Sequence, residues 1–293
     1  MLDSTKLTNL ENVHLTDEIA VVAPLATPFT TLLMSKGQYV DGQGKIHTWR
    51  EKTLDFSDVT VGEGSEATNF VNGVRAELNN VMEIFLKSTQ VSGTAQATGK
   101  TGNDLFASEI NDRLGELKVS IEKRLINGVK DDGSVSGIRK MDGLLKFAVA
   151  GNQFTGGLSG QITEPEIKTL VRKLWEQGIE SGEFYALVNA DIKEQIDELY
   201  KANYNYQHVT TEFGIVVSSI VTNYGKLNFV LDRQVPPDKI IAFDINSVNI
   251  AFLRQPKFEA LAKTGDSIKG QIVAEATIEV ASKKAVAVYT LKA

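Results

Sequence analysis

The chain has 293 residues, 42% hydrophobic and 23% charged, a usage that excludes intrinsic disorder and gives one large domain, or two intertwined ones, a core to bury. Its 31 Lys and Arg against 37 Asp and Glu leave a formal net charge of -6, which excludes long-range attraction to nucleic acid as a binding principle. Without cysteine there are no disulfides, thiolate nucleophiles or Cys-ligated metals; with no leader pattern and no run near the roughly 18 apolar residues of a membrane span, a cytosolic product is expected.

The first 17 residues are polar with scattered Leu, the pattern of an arm ordered by neighbours. Ile19 to Ala23 turns apolar and meets Pro24, and Thr27-Pro28-Phe29 follows; two prolines so close predict extended backbone and no helix. From Gly37 to Phe70, Gly42, Gly44, Gly62 and Gly64 surround strand-like pieces, Lys45 to Trp49 and Val59 to Val61, which predicts a long hairpin or loop with little core of its own. Arms of about ten residues rising near 3.3 Å each would project it roughly 30 Å, a reach that needs a partner to pack on. Val74, Leu78, Val81, Met82, Phe85 and Leu86 are spaced for a helix over 74–87, and the stretch from Gly93 to Gly99 reads as a flexible joint.

The strongest helix signal runs from Asn103-Asp104 to Asn127-Gly128, with Ile110, Leu114, Leu117, Ile121 and Leu125 on one stripe, capping residues at its start and a left-handed Asn-Gly stop at its end. At 1.5 Å per residue it is roughly 35 Å long, enough to serve as a spine. Asp131-Asp132-Gly133-Ser134 is a turn, and Gly151 to Gly160 a second loose stretch and candidate boundary. Thr163-Glu164-Pro165-Glu166 has the form of a capping box, opening a helix whose buried face is Ile167, Leu170, Val171, Leu174 and Trp175 and which ends at Gly178. Phe184 to Val188 reads as a buried strand, and Asn189 caps a helix carrying Ile192, Ile196, Leu199 and Tyr200. Further strands are expected at 215–221, 227–231, 240–243 and 248–253, and 268–280 with 285–291 alternates as a terminal hairpin with Ile272, Ala274, Ala276, Ile278 and Val280 on one face. Helices covering one mixed sheet are the natural arrangement.

Little in the chain looks catalytic. Gly93 to Thr101, ending Gly99-Lys100-Thr101, resembles a phosphate-binding loop, but five residues rather than four separate its glycines and no buried strand is foreseen ahead of it, so a flexible joint is the better reading. His14, His47 and His208 are far apart and expected on the surface or in loops, and Asp131 to Ser134 lacks the spacing and distal Glu of a calcium loop. No nucleophile elbow or partnered histidine argues for a hydrolase, so no catalytic, cofactor-binding or metal residue is assigned. Trp49, in a stretch without evident core, is either a local anchor or an interface residue; Glu63 and Glu66 are candidates to pair with a neighbour's basic residues; Trp175 is simply core.

Several pieces, in order, resemble the major capsid proteins of tailed double-stranded-DNA bacteriophages: Pro24-Leu25-Ala26-Thr27-Pro28-Phe29, Trp49 in the hairpin, Glu63-Gly64, Val91-Ser92-Gly93-Thr94 before the spine helix and Arg139-Lys140-Met141-Asp142-Gly143-Leu144 after it. Ala262-Lys263-Thr264-Gly265-Asp266-Ser267 and Glu275-Ala276-Thr277-Ile278-Glu279-Val280 complete a series that covers nearly the whole chain. The resemblance implies an α+β fold with an N-terminal arm (1–36), an extended β-hairpin loop (37–73), a peripheral domain carrying the long spine helix (74–159 and 255–293) and an axial domain with a mixed sheet flanked by helices (160–254). It further implies a structural protein rather than an enzyme, without cofactor or membrane, that assembles in the host bacterial cytoplasm with itself, as pentamers and hexamers, into an icosahedral head around double-stranded DNA. Trp49, Glu63 and Glu66 become candidate intersubunit contacts. Because the chain begins almost at the arm, a separate scaffolding protein is expected, with a portal protein as a further partner. The alternatives are the shell of a cargo-enclosing bacterial nanocompartment and a nucleotide-binding enzyme built on Gly93 to Thr101.

Overall fold

The computed structural model describes residues 26–42, 44–54, 60–66, 70, 73–98, 105–179, 181–203 and 218–292. The expectations for residues 1–25, Val59, the Lys100-Thr101 end of the phosphate-like motif, the Asn103-Asp104 cap, residues 215–217, His14 and His208 lie outside them.

The first described element is a helix, α1 (Pro28–Ser35), where the sequence predicted extended backbone. Pro28 opens it: a ring-fixed φ near -65° suits a first helical turn, and the amide it lacks would find no partner there. Two short strands follow, β1 (Tyr39–Asp41) and β2 (Ile46–Thr53). The expected helix over 74–87 is two strands instead, β3 (Val74–Val81) and β4 (Glu83–Ser92). Within β4, Glu83 and Phe85 point inward while Ile84 and Leu86 point outward and stay exposed, so apolar residues on both faces imitated a helical spacing. The returning arm of the hairpin is therefore β3, paired with β2 in antiparallel register from Ile46↔Val81 to Thr53↔Val74.

Gly93 to Thr98 forms a short helix, α2, rather than a flexible joint. The spine helix α3 (Leu105–Asn127) is where its stripe placed it, with Leu117, Ile121 and Leu125 buried and Ile110 and Leu114 packed at the margin. Its stop is not left-handed. Gly128 is needed for a close approach: its amide donates to Arg124 O at 2.9 Å, its carbonyl accepts from Gly143 N at 3.0 Å, and a Cβ on Gly143 would lie 2.4 Å from Gly128 N. Beside this junction Arg124 Nε spans both oxygens of buried Glu83 at 2.9 and 3.0 Å, and Glu83 also accepts from Met141 N.

Residues 131–134 form the expected turn, with Gly133 at φ +75°. A short helix, α4 (Leu144–Phe147), leads to β5 (Gln153–Ser159), a strand where a loose stretch was expected; its glycines let the backbone pass Tyr289, whose hydroxyl lies 2.4 Å from a Cβ placed on Gly156. Helix α5 (Glu164–Glu176) starts with Glu166 accepting from Thr163 N and stops at Gly178, φ +82°. Then come β6 (Glu183–Val188), α6 (Ala190–Asn203), β7 (Ser219–Thr222), β8 (Gly225–Leu231), β9 (Lys239–Asp244), β10 (Val248–Ala260), β11 (Ser267–Val280) and β12 (Val286–Lys292).

The last two strands do not pair with each other, contrary to the predicted terminal hairpin. β11 lies between β10 and β4 in a four-stranded sheet of order β1-β10-β11-β4, while β12 lies between β5 and β9 in a six-stranded sheet of order β5-β12-β9-β6-β8-β7. The link through Ser282, whose hydroxyl accepts from Lys284 N, and a 3-10 turn at 283–285 carries the chain from one sheet to the other instead of folding it back.

The six-stranded sheet is mixed and buried on both faces. Phe184, Ala186, Val188, Ile240, Ala242, Ala287 and Tyr289 face α5 and α6. Their alternates Tyr185, Leu187, Ile241, Phe243, Val286 and Val288 join a core shared with α1, α3, α4 and the Ile272-to-Val280 face of β11. Because Gly128 and Gly143 meet backbone to backbone, Gly143→Ala should overpack the junction and lower stability by about 1–3 kcal/mol, read as a reduced midpoint in urea unfolding of the subunit.

Candidate assembly surface

The β2–β3 hairpin is bound at its base and bare beyond it. Trp49 Nε1 donates to Val280 O at 2.7 Å, and its ring lies 6.1 Å from that of Phe147 and 5.7 Å from that of His47. His47 Nε2 is 2.5 Å from Glu279 Oε2, and Ser282 Oγ donates to Glu51 Oε1 at 2.5 Å. Fully buried Asn80 donates to the carbonyls of Asp142 and Ile278 and accepts from the amides of Val81 and Asp142, which meets the whole demand of its side-chain amide. The base is thus fixed to the end of β11 by directional bonds that set the hairpin's angle of departure.

The Trp49 donor and ring are engaged within its own chain, where they anchor the base of the hairpin. His47 corrects the surface-or-loop expectation, since it sits half-buried on β2 against a carboxylate. The structure does not bring the three candidate contacts together. Glu63 and Glu66 flank an exposed turn, Gly64 at φ +80°, in the segment between the two strands and form no ion pair among the described residues.

Beyond the base, apolar side chains are left in water: Val61 is 76% exposed and Phe70 83%, with Leu54 and Val74 also exposed at the last strand pair. Eight paired residues at about 3.3 Å each carry this surface roughly 26 Å along the hairpin. Beyond its base the hairpin thus combines exposed apolar residues with an acidic turn. Two further exposed apolar groups were not foreseen. One is Ile84 and Leu86 on β4, opposite Glu275 and Val273 of β11. The other is Trp175, 48% exposed rather than core, its ring 5.5 Å from that of Tyr224. Its place at the eighth step from Ile167 puts it on the margin of the helical stripe, which is the signal that could have separated it from Leu174.

The phosphate-like motif has a different structure from a nucleotide loop. A strand, β4, does lead into it, correcting the sequence reading, but Gly93 N donates to Asp266 O at 3.1 Å and the Asp266 carboxylate lies within 2.4 Å of a Cβ placed on Gly93. An acidic group therefore stands where an incoming phosphate would be repelled. Among the described residues no three His, Asp or Glu side chains stand close enough to hold a metal ion, and no helix is long and apolar enough to cross a membrane.

An α3 spine on one sheet, a second helix-covered mixed sheet and a projecting hairpin together define a shell-subunit fold, and solved structures share it. The capsid of Cyanophage A-1(L) matches with a TM-score of 0.71 at 12% identity, covering 97% of this chain and 99% of that one. The capsid of Myoviridae Phage XM1 matches at 0.68 and 12%, covering 98% and 99%. The holo-SrpI encapsulin complex from Synechococcus elongatus PCC 7942 matches at 0.64 and 13%, covering 97% and 95%. At these identities the likeness is one of fold. The chain belongs to the SU10 major capsid protein family, whose model matches residues 3–293. No curated protein sequence matches it. It is a capsid protein, a subunit of the virion shell that assembles with copies of itself.

With its indole engaged in its own chain, Trp49 contributes to the subunit before assembly. Trp49→Phe, which keeps an aromatic ring and loses the donor to Val280, should cost about 1 kcal/mol and Trp49→Ala about 3 kcal/mol in urea unfolding of unassembled protein.

Proposed function

We propose that this chain forms pentamers and hexamers that close an icosahedral phage head around double-stranded DNA, and that it does so without catalysis. The observation that carries the reading is the hairpin, fastened by Trp49, His47 and Asn80 at its base yet exposing Leu54, Val61 and Phe70 beyond it. Exposed apolar area of this kind is stabilised when a neighbouring subunit covers it, and in this reading the exposed Glu63 and Glu66 pair with that neighbour's cations. In this reading residues 1–36 are the arm, 37–73 with the returning strand β3 the extended loop, and 160–254 the axial domain around the capsomer centre. The rest of 74–159, after β3, and residues 255–293 are the peripheral domain, which lends β5 and β12 to the axial sheet. The net charge of -6 suits a container that need not grip its contents. Separate scaffolding and portal proteins are the expected partners, and the host cytoplasm the place of assembly.

A second reading keeps the fold and changes the contents. The likeness to the encapsulin complex supports a nanocompartment shell, though the family match is to major capsid proteins. Electron microscopy of the protein made alone and with the products of neighbouring genes separates the two. Closed shells or rings of five and six are expected, and DNA inside them favours the phage head, whereas enclosed enzyme favours the compartment. A persistent monomer under both conditions overturns the shell architecture proposed here.

Replacing residues 55–73 by a short turn should abolish closed shells while leaving the far-ultraviolet circular dichroism of the remaining fold in place. Glu63→Lys with Glu66→Lys should slow assembly, measured by light scattering, by about tenfold or more at low salt, with a smaller effect at high salt.

A further inference from the structure

The β2–β3 hairpin is electrically divided. Along β2, His47, Trp49 and Glu51 turn to the core and are bonded there, so Thr48, Arg50 and Lys52 between them face away. The antiparallel register sets Asn79, Glu77 and Arg75 of β3 on the same outer face, with Arg50 opposite Glu77 and Lys52 opposite Arg75. Arg50, Lys52 and Arg75 are exposed, and none forms an ion pair with another described residue. Two cations directly across a strand pair repel each other, which weakens the pairing until an anion lies against them. A cleft of about 140 Å³ opens at this place, lined by Arg50, Arg75, Ala76 and Glu77.

Beyond this stem the sign reverses. Residues 54–73 contain Asp55, Asp58, Glu63 and Glu66 and no Lys or Arg, so the connecting segment is acidic throughout. Glu63 and Glu66 are exposed around the Gly64 turn and, like the stem cations, form no ion pair among the described residues. The cations of the stem and the carboxylates of the turn therefore do not satisfy each other within one subunit.

We propose that the outer face of the stem is the seat of a second copy's acidic loop, with Arg50, Lys52 and Arg75 of one copy receiving Glu63 and Glu66 of the other. The two surfaces are opposite in sign, exposed and unpaired, and the loop brings the bare side chains of Val61 and Phe70 with it, so contact covers apolar area as well as charge. Each copy has one stem and one loop, which lets the same contact repeat from copy to copy. Nucleic acid is the other polyanion that three cations could meet, but the acidic segment on the same hairpin and the net charge of -6 oppose its approach. The contact presupposes the self-assembling shell of the proposed function, in which it supplies the cations for Glu63 and Glu66.

Charge reversal and crosslinking on the full chain test it. Lys52→Glu with Arg75→Glu keeps a like-charged pair across the strands and changes only its sign, so the stem folds under the same local repulsion. Light scattering should show assembly slowed about tenfold or more at low salt, and adding Glu63→Lys and Glu66→Lys to that chain should restore the rate to within about threefold of the unaltered protein. Because the chain has no cysteine, single substitutions supply unambiguous thiols. Arg75→Cys in one chain and Glu66→Cys in a second, tagged chain should be joined by a short thiol-to-thiol crosslinker in assembled but not in unassembled protein, giving a heterodimer on a denaturing gel. Normal shells without that heterodimer overturn the contact and leave the shell reading standing, as does a stem variant that assembles at the unaltered rate and loses only packaged DNA. Failure of the unaltered chain to assemble at all overturns the shell reading and the contact with it. If Lys52→Glu with Arg75→Glu does not fold, the crosslink decides the matter.

Discussion

Strand β11 satisfies three sets of demands at once, and the rest of the molecule is arranged around it. Its edges pair with β10 from Val248↔Val280 to Ala260↔Gly270 and with β4 from Ser267↔Ser92 to Ala276↔Glu83. One face supplies Ile272, Ala274, Ala276, Ile278 and Val280 to the main core. On the other, Glu275 is held between Arg139 and Arg254, so even the charge on this strand is buried with partners. Its last residues then offer Glu279 and the carbonyls of Ile278 and Val280 to the hairpin. A strand fixed on both edges and both faces cannot shift register without exposing its apolar set, which makes it a rigid base for the element that leaves the core.

The contrast between that base and the hairpin beyond it explains how one chain can be both a folded domain and a building unit. Where β2 and β3 touch the core, their polar groups are matched bond for bond. Where they leave it, apolar residues face water. The first property sets direction within the subunit; the second reserves binding free energy for contact with another copy.

The spine helix, α5, α6 and the central strands β6, β8 and β9 of the six-stranded sheet were legible because burial there follows simple periods: a stripe at three and four residues for helices, and continuous apolar runs for strands covered on both sides. The stretch 74–92 was not, because Ile84 and Leu86 are apolar and outward-facing, a pattern that makes sense only once surfaces outside the subunit are considered. Helix α1 was hidden by reading Pro28 as a breaker when it stands at the one turn that tolerates it. Partnership between distant strands left no local mark either: Ser282-Lys283-Lys284 looks like a hairpin turn, and only long-range pairing sends β11 and β12 to different sheets. The buried Glu122 that caps α1 is equally silent, since an isolated Glu on a helix reads as solvated until its neighbours are known.

The placement of β12 between β5 and β9 also orders events during synthesis. Among the described residues β5 has no strand partner other than β12, and β12 follows every other strand of its sheet along the chain. While the ribosome is still making the last third of the protein, β5 waits unpaired and the face of the sheet that packs on α5 lacks Ala287 and Tyr289. Closure of so distant a pairing is slow compared with local helix formation. A nascent chain therefore carries an incomplete sheet until β12 has emerged.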